Sequence, residues 1–219
     1  AFIGQFGKHS TPEKFVTAMK MLGFHRVVEV AVGADLCTIE EAKDFLEKVP
    51  KEQDYMATSC CPAWHSMIYK LFPSETKKIS MTLTPMVFTA RLMKKQFPGC
   101  KVVFVGPCAA KKLEAIREDI RSDVDFVLTF EELQALFDSR DLNIQDLEED
   151  VLDNASYFGR IFARSGGLSE AVAQALKEQN IDFEAKPVVC SGIEECRMAL
   201  LKLSKNPKIL GGNFIEGMA

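Results

Sequence analysis

Short apolar runs alternate with amphipathic helical patterns along the whole chain, and this alternation constrains the fold more than any other feature. Strands separated by helices are joined by crossovers too long for hairpins. They pair in parallel, with helices on both faces of the sheet. Residues 26–32 (rich in Val), 101–105, 124–129 and 186–190 read as strands, and 55–59 as a further short apolar run. Residues 101–105 are nearly all apolar, the pattern of a strand buried on both faces. Helices are predicted over residues 34–49, 62–72, 82–96, 130–138, 168–179 and 193–203. Another opens at Ser10-Thr11-Pro12-Glu13, where Ser10 or Thr11 can cap and Pro12 suits the first turn, and closes at Gly23. In the 34–49 helix, Leu36, Ile39, Phe45 and Leu46 are predicted to turn inward. Residues 142–153 are acidic and weakly apolar and are predicted to form an exposed excursion. Residues 211–216 read as the chain's exit. The fold class is α/β, and 219 residues suffice for a single domain spanning 1–219.

Composition serves mainly to exclude. No window approaches 18 uninterrupted apolar residues, so no transmembrane helix is predicted and no membrane partner is expected. Ala1-Phe2-Ile3-Gly4 lacks the basic and apolar regions of a signal peptide. A net charge of -4 argues against nucleic acid as a partner, because phosphate binding wants clustered Lys and Arg. Seven cysteines, an odd count, do not read as a disulfide framework. The expected location is the cytoplasm.

Two of the cysteine sites stand apart. One is Thr58-Ser59-Cys60-Cys61-Pro62-Ala63-Trp64, the other Gly106-Pro107-Cys108-Ala109-Ala110-Lys111-Lys112-Leu113-Glu114. Each follows an apolar run and opens a predicted helix. Free backbone N–H groups and the positive helix end at such a point stabilise a thiolate or an anionic cluster. A cysteine after a strand also serves as a small core hydrophobe. On pattern alone, a metal or thiolate site and a pair of core thiols both stay open. Cys37, Cys100, Cys190 and Cys196 lack this context and are assigned to structure; Cys190 and Cys196 are six apart, a poor match to short ligand spacings.

With these motifs the sequence resembles the catalytic domain of the iron-iron (FeFe) hydrogenases. The family reads T-S-C-C-P-x-W, matched by Thr58 to Trp64, then P-C-x-x-K-K-x-E, matched by Pro107 to Glu114. A third family segment opens E-x-M-A-C, and Glu216-Gly217-Met218-Ala219 matches its start. Phe6-Gly7, Gly33-Ala34-Asp35-Leu36 and Gly166-Gly167 also sit where the family has such residues. The resemblance implies two interleaved lobes, each with a mainly parallel sheet, around a cleft. It implies an H-cluster: a four-iron cubane bridged by cysteine to a two-iron subcluster carrying CO, cyanide and a dithiolate amine. Cys61 and Cys108 resemble two cubane ligands. The other two are expected beyond Ala219, which makes the domain incomplete at both ends and predicts no stable cluster or activity in the 219 residues by themselves. The partners implied are H2, protons and an electron-carrier protein or fused iron-sulfur domain.

Further roles follow from the same resemblance. Cys60 resembles the thiol that passes protons to the bridgehead amine, and Lys111 the lysine that hydrogen-bonds a cyanide ligand. Met218 resembles a methionine packed near the cluster. Glu41 and Ser80 match a proton relay, with Asp44 and Lys48 where the family often has Glu and Arg. Glu41, Asp44 and Lys48 share a helix face at i, i+3 and i+7, which without the resemblance reads as a solvated charged face. Three cluster-facing positions depart from well-studied members: Gly106 stands for Met, Ala110 for Ser and Met86 for Gln. Each change removes bulk or a hydrogen bond beside the two-iron unit. That pattern looks like divergent, sensory branches. Three functions therefore stay in view: reversible hydrogen chemistry, a slow H2 or redox sensor, and an iron-sulfur assembly relative. An intact Thr58–Trp64 motif weighs against the last.

Overall fold

The computed structural model describes residues 2–152 and 155–219. Five strands and nine α-helices run in the order α1 Pro12–Met21, α2 Ala31–Lys48, β1 Met56–Ala57, α3 Pro62–Leu71, α4 Pro85–Gln96, β2 Val103–Gly106, α5 Ala110–Ala115, β3 Phe126–Thr129, α6 Phe130–Asp138, α7 Tyr157–Ile161, α8 Gly167–Glu178, β4 Pro187–Ser191, α9 Ile193–Leu203 and β5 Phe214–Met218, all among the described residues. Two short 3₁₀ turns, Pro73–Lys78 and Ile144–Asp146, complete the set. The strands form two separate parallel sheets, β1-β5-β4 and β2-β3. The α/β class is therefore as the alternation predicts.

Side-chain alternation along the strands sorts the core. Met56 pairs with Phe214, and both face a cluster built on α2 and α8 with Phe45, Leu168 and Val172. Their neighbours Ala57 and Ile215 face the other way, against Trp64 and Ile68 of α3 and Leu200 and Leu203 of α9. The small sheet obeys the same rule. Phe104 joins Met86, Val87, Ala90 and Ala115, while Val105 joins Leu133 and Phe137 on the opposite side. Trp64, Tyr55, Phe45, Phe137 and Phe214 are fully buried, each worth roughly 1.5–3 kcal/mol of transfer free energy. Local chemistry sets the helix starts: Thr11 caps α1 before Pro12, prolines open α3 and α4, and Thr129 with Glu132 makes a capping box on α6.

Several sequence expectations need correction. Residues 26–30 are not a strand, and the Val-rich run instead leads into α2 at Ala31. Helix is required there because Gly33 packs directly on α4: a Cβ on it would lie 2.1 Å from Thr89 Oγ1 and 2.5 Å from the Pro85 carbonyl. Leu36 and Ile39 point outward, and the buried face of α2 is Ala34, Cys37, Thr38, Glu41, Ala42 and Phe45. The helix predicted from residue 82 starts at Pro85. Strand β2 is only half-buried, because its sheet has two strands. The acidic segment 142–152 is not a free excursion: Ile144 is buried with Leu142 and Leu147 beside it in the cluster of Leu133 and Phe137, and α1 straps it, Lys14 Nζ donating to Gln145 O at 2.7 Å and Thr17 Oγ1 to Glu148 O at 2.7 Å; Asp153 lies outside the described residues. The largest omission is β5, which is the central strand of the large sheet. Among the described residues no helix is long and apolar enough to cross a membrane.

Candidate active site

The first cysteine turn leaves β1 and enters α3. Thr58 is fully buried and locked on three sides. Its N–H donates to Ile215 O at 3.0 Å, its carbonyl accepts Trp64 Nε1 at 3.0 Å, and its hydroxyl meets Gly217 N at 3.4 Å. The Trp64 ring lies on the bare face of Gly217, where a Cβ would be 2.2 Å away. Cys60 is left partly exposed at the apex. Cys61 is the N-cap residue of α3 with an extended backbone, its carbonyl taking the His65 N–H at 3.0 Å. The Cys61 thiol lies 3.7 Å from the Ala219 carbonyl, so it sits beside the end of β5.

The second turn leaves β2 through buried Gly106 and exposed Pro107, placing a half-buried Cys108 ahead of α5. Helix α5 is only six residues long, so the helix-end field the sequence predicts for this thiol is short. A polar network stands in for it. Lys111 Nζ donates to Glu114 Oε2 at 2.7 Å and to the Cys60 carbonyl at 3.3 Å. Glu114 is buried, and its other oxygen accepts Thr84 Oγ1 at 2.6 Å. Lys111 thereby ties the second turn to the first, and α3 packs on α5.

Behind Cys60 lies the carboxylate of Glu41, buried on α2. Ser80 Oγ donates to its Oε2 at 2.7 Å, and Oε1 has no hydrogen-bond partner among the described residues. Burial pushes the Glu41 carboxyl up to about 7; Ser80, Thr82 and Lys48 pull it down, while Asp44 pushes it up. Thr82 is near enough to favour the charged form without making a hydrogen bond to Oε1. Next towards the surface, Asp44 accepts the Met81 N–H at 3.1 Å and pairs with Lys48 at 2.7 Å. Burial raises the Cys60 thiol well above its ordinary range, and the charges of Glu41 and then Glu216 raise it further. The structure thus gathers Cys60, Cys61, Lys111, Glu41 and Ser80, with Asp44 and Lys48 beyond them.

The remaining predicted residues are placed less directly. Met86 is buried in the core behind the β2-β3 sheet, among Val87, Ala90, Ala115 and Ile120. Ala110 is the first residue of α5. Met218 ends β5, its carbonyl bonded to Gly192 N at 2.7 Å and its sulfur 4.0 Å from Ser165 Oγ. Sequence reasoning passed over three groups. Glu114 was quoted in the motif but given no role, although Lys111 and Glu114 are three apart on one helix. Glu216 is buried and receives Gly166 N at 2.9 Å, Ser169 N at 2.8 Å and Ser169 Oγ at 2.6 Å, so it pins β5 to the start of α8. Cys37, assigned to structure, lies one turn before Glu41, and its thiol is raised by burial and then by the Glu41 and Cys60 charges. Its spacing from Glu41 was the available signal.

A family model described as "iron only hydrogenase large subunit, C-terminal domain" matches residues 1–219. The chain belongs to that family. Among FeFe-hydrogenase relatives, it is 28% identical to iron hydrogenase 1 of Clostridium pasteurianum, over 91% of this chain and 39% of that protein. It is 30% identical to the nuclear prelamin A recognition factor of Xenopus laevis, over 72% of this chain and 39% of that one. It is 28% identical to a probable cytosolic Fe-S cluster assembly factor of Aedes aegypti, over 90% of this chain and 47% of that protein. A solved structure of apo FeFe-hydrogenase from Chlamydomonas reinhardtii superposes with a TM-score of 0.76 at 21% identity, covering 96% of this chain and 71% of that one; it shares the fold. The chain therefore spans less than half the length of these curated relatives.

Donor chemistry tests the fit of an iron-sulfur group. Cys61 and Cys108 are free thiols at two turns tied together by Lys111, and thiolates are the ligands iron-sulfur clusters take. Among the described residues no three His, Cys, Asp or Glu side chains converge as a metal set. Cys61 and Cys108 thus offer two thiols of the kind such a group takes, with the part-buried Lys111 between the turns and, among the described residues, an unpartnered carboxylate oxygen on Glu41.

Proposed function

We propose that this domain serves a hydrogenase, interconverting H2 with two protons and two electrons in the full-length protein. Cys61 and Cys108 would supply two of the thiolates that hold the H-cluster. When bound, that cluster supplies the iron chemistry at which H2 is made or split. What most supports the reading is Lys111, whose ammonium joins the two cysteine turns and is held there by buried Glu114. An ammonium fixed in a half-dry site is suited to an anionic ligand.

The chain's own residues then handle protons. Cys60 Sγ, raised by burial, stays a thiol at neutral pH and can hold a proton at the apex of the first turn. Glu41, at about 7, populates both protonation states near neutrality. Ser80 occupies its Oε2, and Oε1 is the oxygen left to exchange a proton with Cys60. Asp44 and Lys48 carry the path outward. Trp64, Thr58 and Gly217 keep the first turn dry and fixed, so the proton's donor does not wander. Electrons would come from a carrier protein or a fused iron-sulfur domain. Seven free thiols suit a reducing compartment, which favours the cytoplasm.

A slow H2 or redox sensor is the second reading. It is favoured by Met86, which is committed to the core rather than to a polar contact. The test is Cys60→Ser in the matured full-length protein. H2 turnover should fall by orders of magnitude while iron content is unchanged. Retained turnover would remove Cys60 from the proton path, and lost iron would make it a ligand. A low wild-type rate with an intact cluster would favour sensing.

A further inference from the structure

Glu41 carries a buried carboxylate oxygen, Oε1, with no hydrogen-bond partner among the described residues. Hydroxyl and ammonium groups on the neighbouring elements are engaged elsewhere. Ser80 Oγ donates to Oε2 at 2.7 Å, and Thr38 Oγ1 to the Ala34 carbonyl at 2.9 Å. Ser59 Oγ donates to Thr82 O at 2.8 Å, Lys48 pairs with Asp44, and Lys111 pairs with Glu114. One turn before Glu41, on the same buried face of α2, stands Cys37, only 1% exposed. Cys60 packs against the cluster that contains Cys37. After burial, the charges of Glu41 and then Cys60 do most to raise the Cys37 thiol, so it stays protonated. A thiol is a weak donor, and an oxygen beside it is left nearly free.

We propose that Cys37 is a positioning residue for Glu41: its weak thiol stands where a hydroxyl would bind Oε1, and so leaves that oxygen free to exchange a proton. The proposal rests on the proton-path reading only for its effect on turnover. A hydroxyl at position 37 would favour the charged carboxylate and lower the pH at which Glu41 releases its proton. The other groups that face Glu41 are unchanged by such a swap. They are Asp44 and Lys48 on α2, Ser80 and Thr82 from the segment before α4, and Cys60 from the first turn. Helices α4, α7 and α8 also pack on α2, and their Arg91, Lys94, Arg160 and Glu170 are held in ion pairs of their own.

The experiment compares Cys37→Ser, Cys37→Thr and Cys37→Val with wild type in the full chain. The Glu41 side-chain carboxyl is followed by carbon NMR across pH and assigned with Glu41→Gln. Threonine and valine have the same shape and differ by the hydroxyl, so threonine keeps the test decisive if the underfilled serine variant does not fold. The two hydroxyl variants should lower the Glu41 midpoint by about one pH unit, a tenfold change in proton affinity, while valine leaves it close to wild type. An unmoved midpoint in the hydroxyl variants, or a valine shift as large as threonine's, would overturn the proposal. A second readout is the pH profile of H2 turnover in the matured full-length protein. The limb that reports Glu41 should move down by the same amount in the hydroxyl variants alone. A midpoint that moves while this limb stays in place would overturn the proton-path reading of Glu41 and leave the Cys37–Glu41 coupling standing.

Discussion

The two cysteine turns rest on different physical foundations. The first is held by the core of the three-stranded sheet: Trp64 is fully buried, bonded to Thr58 and pressed onto Gly217 of the central strand. The second leaves a two-stranded, half-buried sheet and is held by charge, through Lys111, Glu114 and Thr84. One turn is rigid because its neighbours have nowhere to go. The other is positioned by groups whose strength depends on protonation and solvent. The difference teaches that the Cys60–Cys61 turn is built into the fold, while the Cys108 turn is tuned by a few polar bonds.

Removing the packing should do the most damage. Trp64→Ala should cost about 3–5 kcal/mol in denaturant unfolding, from the lost transfer energy plus the cavity left in the core. If it costs no more than a change at Glu114, the contrast between the turns is wrong.

Next in size is a pH effect. The Glu41 carboxyl is raised by burial from 4.5 to about 7 in the folded chain. The folded state therefore holds the proton more tightly than the unfolded state. Its contribution is fully present below the lower value and is lost as pH rises through the upper one, a swing of about 3 kcal/mol at most. Glu41→Gln does not titrate, so the variant should gain stability relative to wild type between those limits. Urea midpoints at pH 4.5 and pH 8 check this, and parallel curves would show that Glu41 has an ordinary pKa.

Glu114→Gln should cost ~1–3 kcal/mol, because Lys111 loses its charged partner while Thr84 keeps an acceptor. It should also loosen the second turn alone, visible as faster amide exchange at residues 108–112 with no change at 58–64. Equal exchange at both turns would mean they share one support. The smallest effect is expected for Asp44→Asn, which weakens a partly exposed pair with Lys48 but preserves an acceptor for Met81 N, and should cost less than about 1 kcal/mol.

The difference between the turns also explains what could be read from the sequence. The α/β class and helices α3, α6, α8 and α9 follow from periodicity and capping, which are local signals, and both motifs from the residues around the cysteines and the family resemblance they carry. Glu41 and Ser80 were reachable through the family resemblance, and the structure adds their direct bond. Strand β5 was missed because Glu216 and Gly217 break the apolar run. Glu216 is there to meet the start of α8, and Gly217 to admit Trp64, and both reasons are tertiary. Leu36 and Ile39 were turned the wrong way because the α2–α4 contact at Gly33 sets the helix's rotation, and small residues carry little weight in a hydrophobic pattern.

The most direct test of the central claim is iron content in the full-length protein, purified anaerobically, for wild type, Cys61→Ser, Cys108→Ser and Cys60→Ser. If the two turns clamp one cluster, Cys61→Ser and Cys108→Ser should each lose the iron-sulfur signal, while Cys60→Ser should retain the wild-type iron count. Full iron in either ligand variant, or loss of iron on replacing Cys60, would contradict the account.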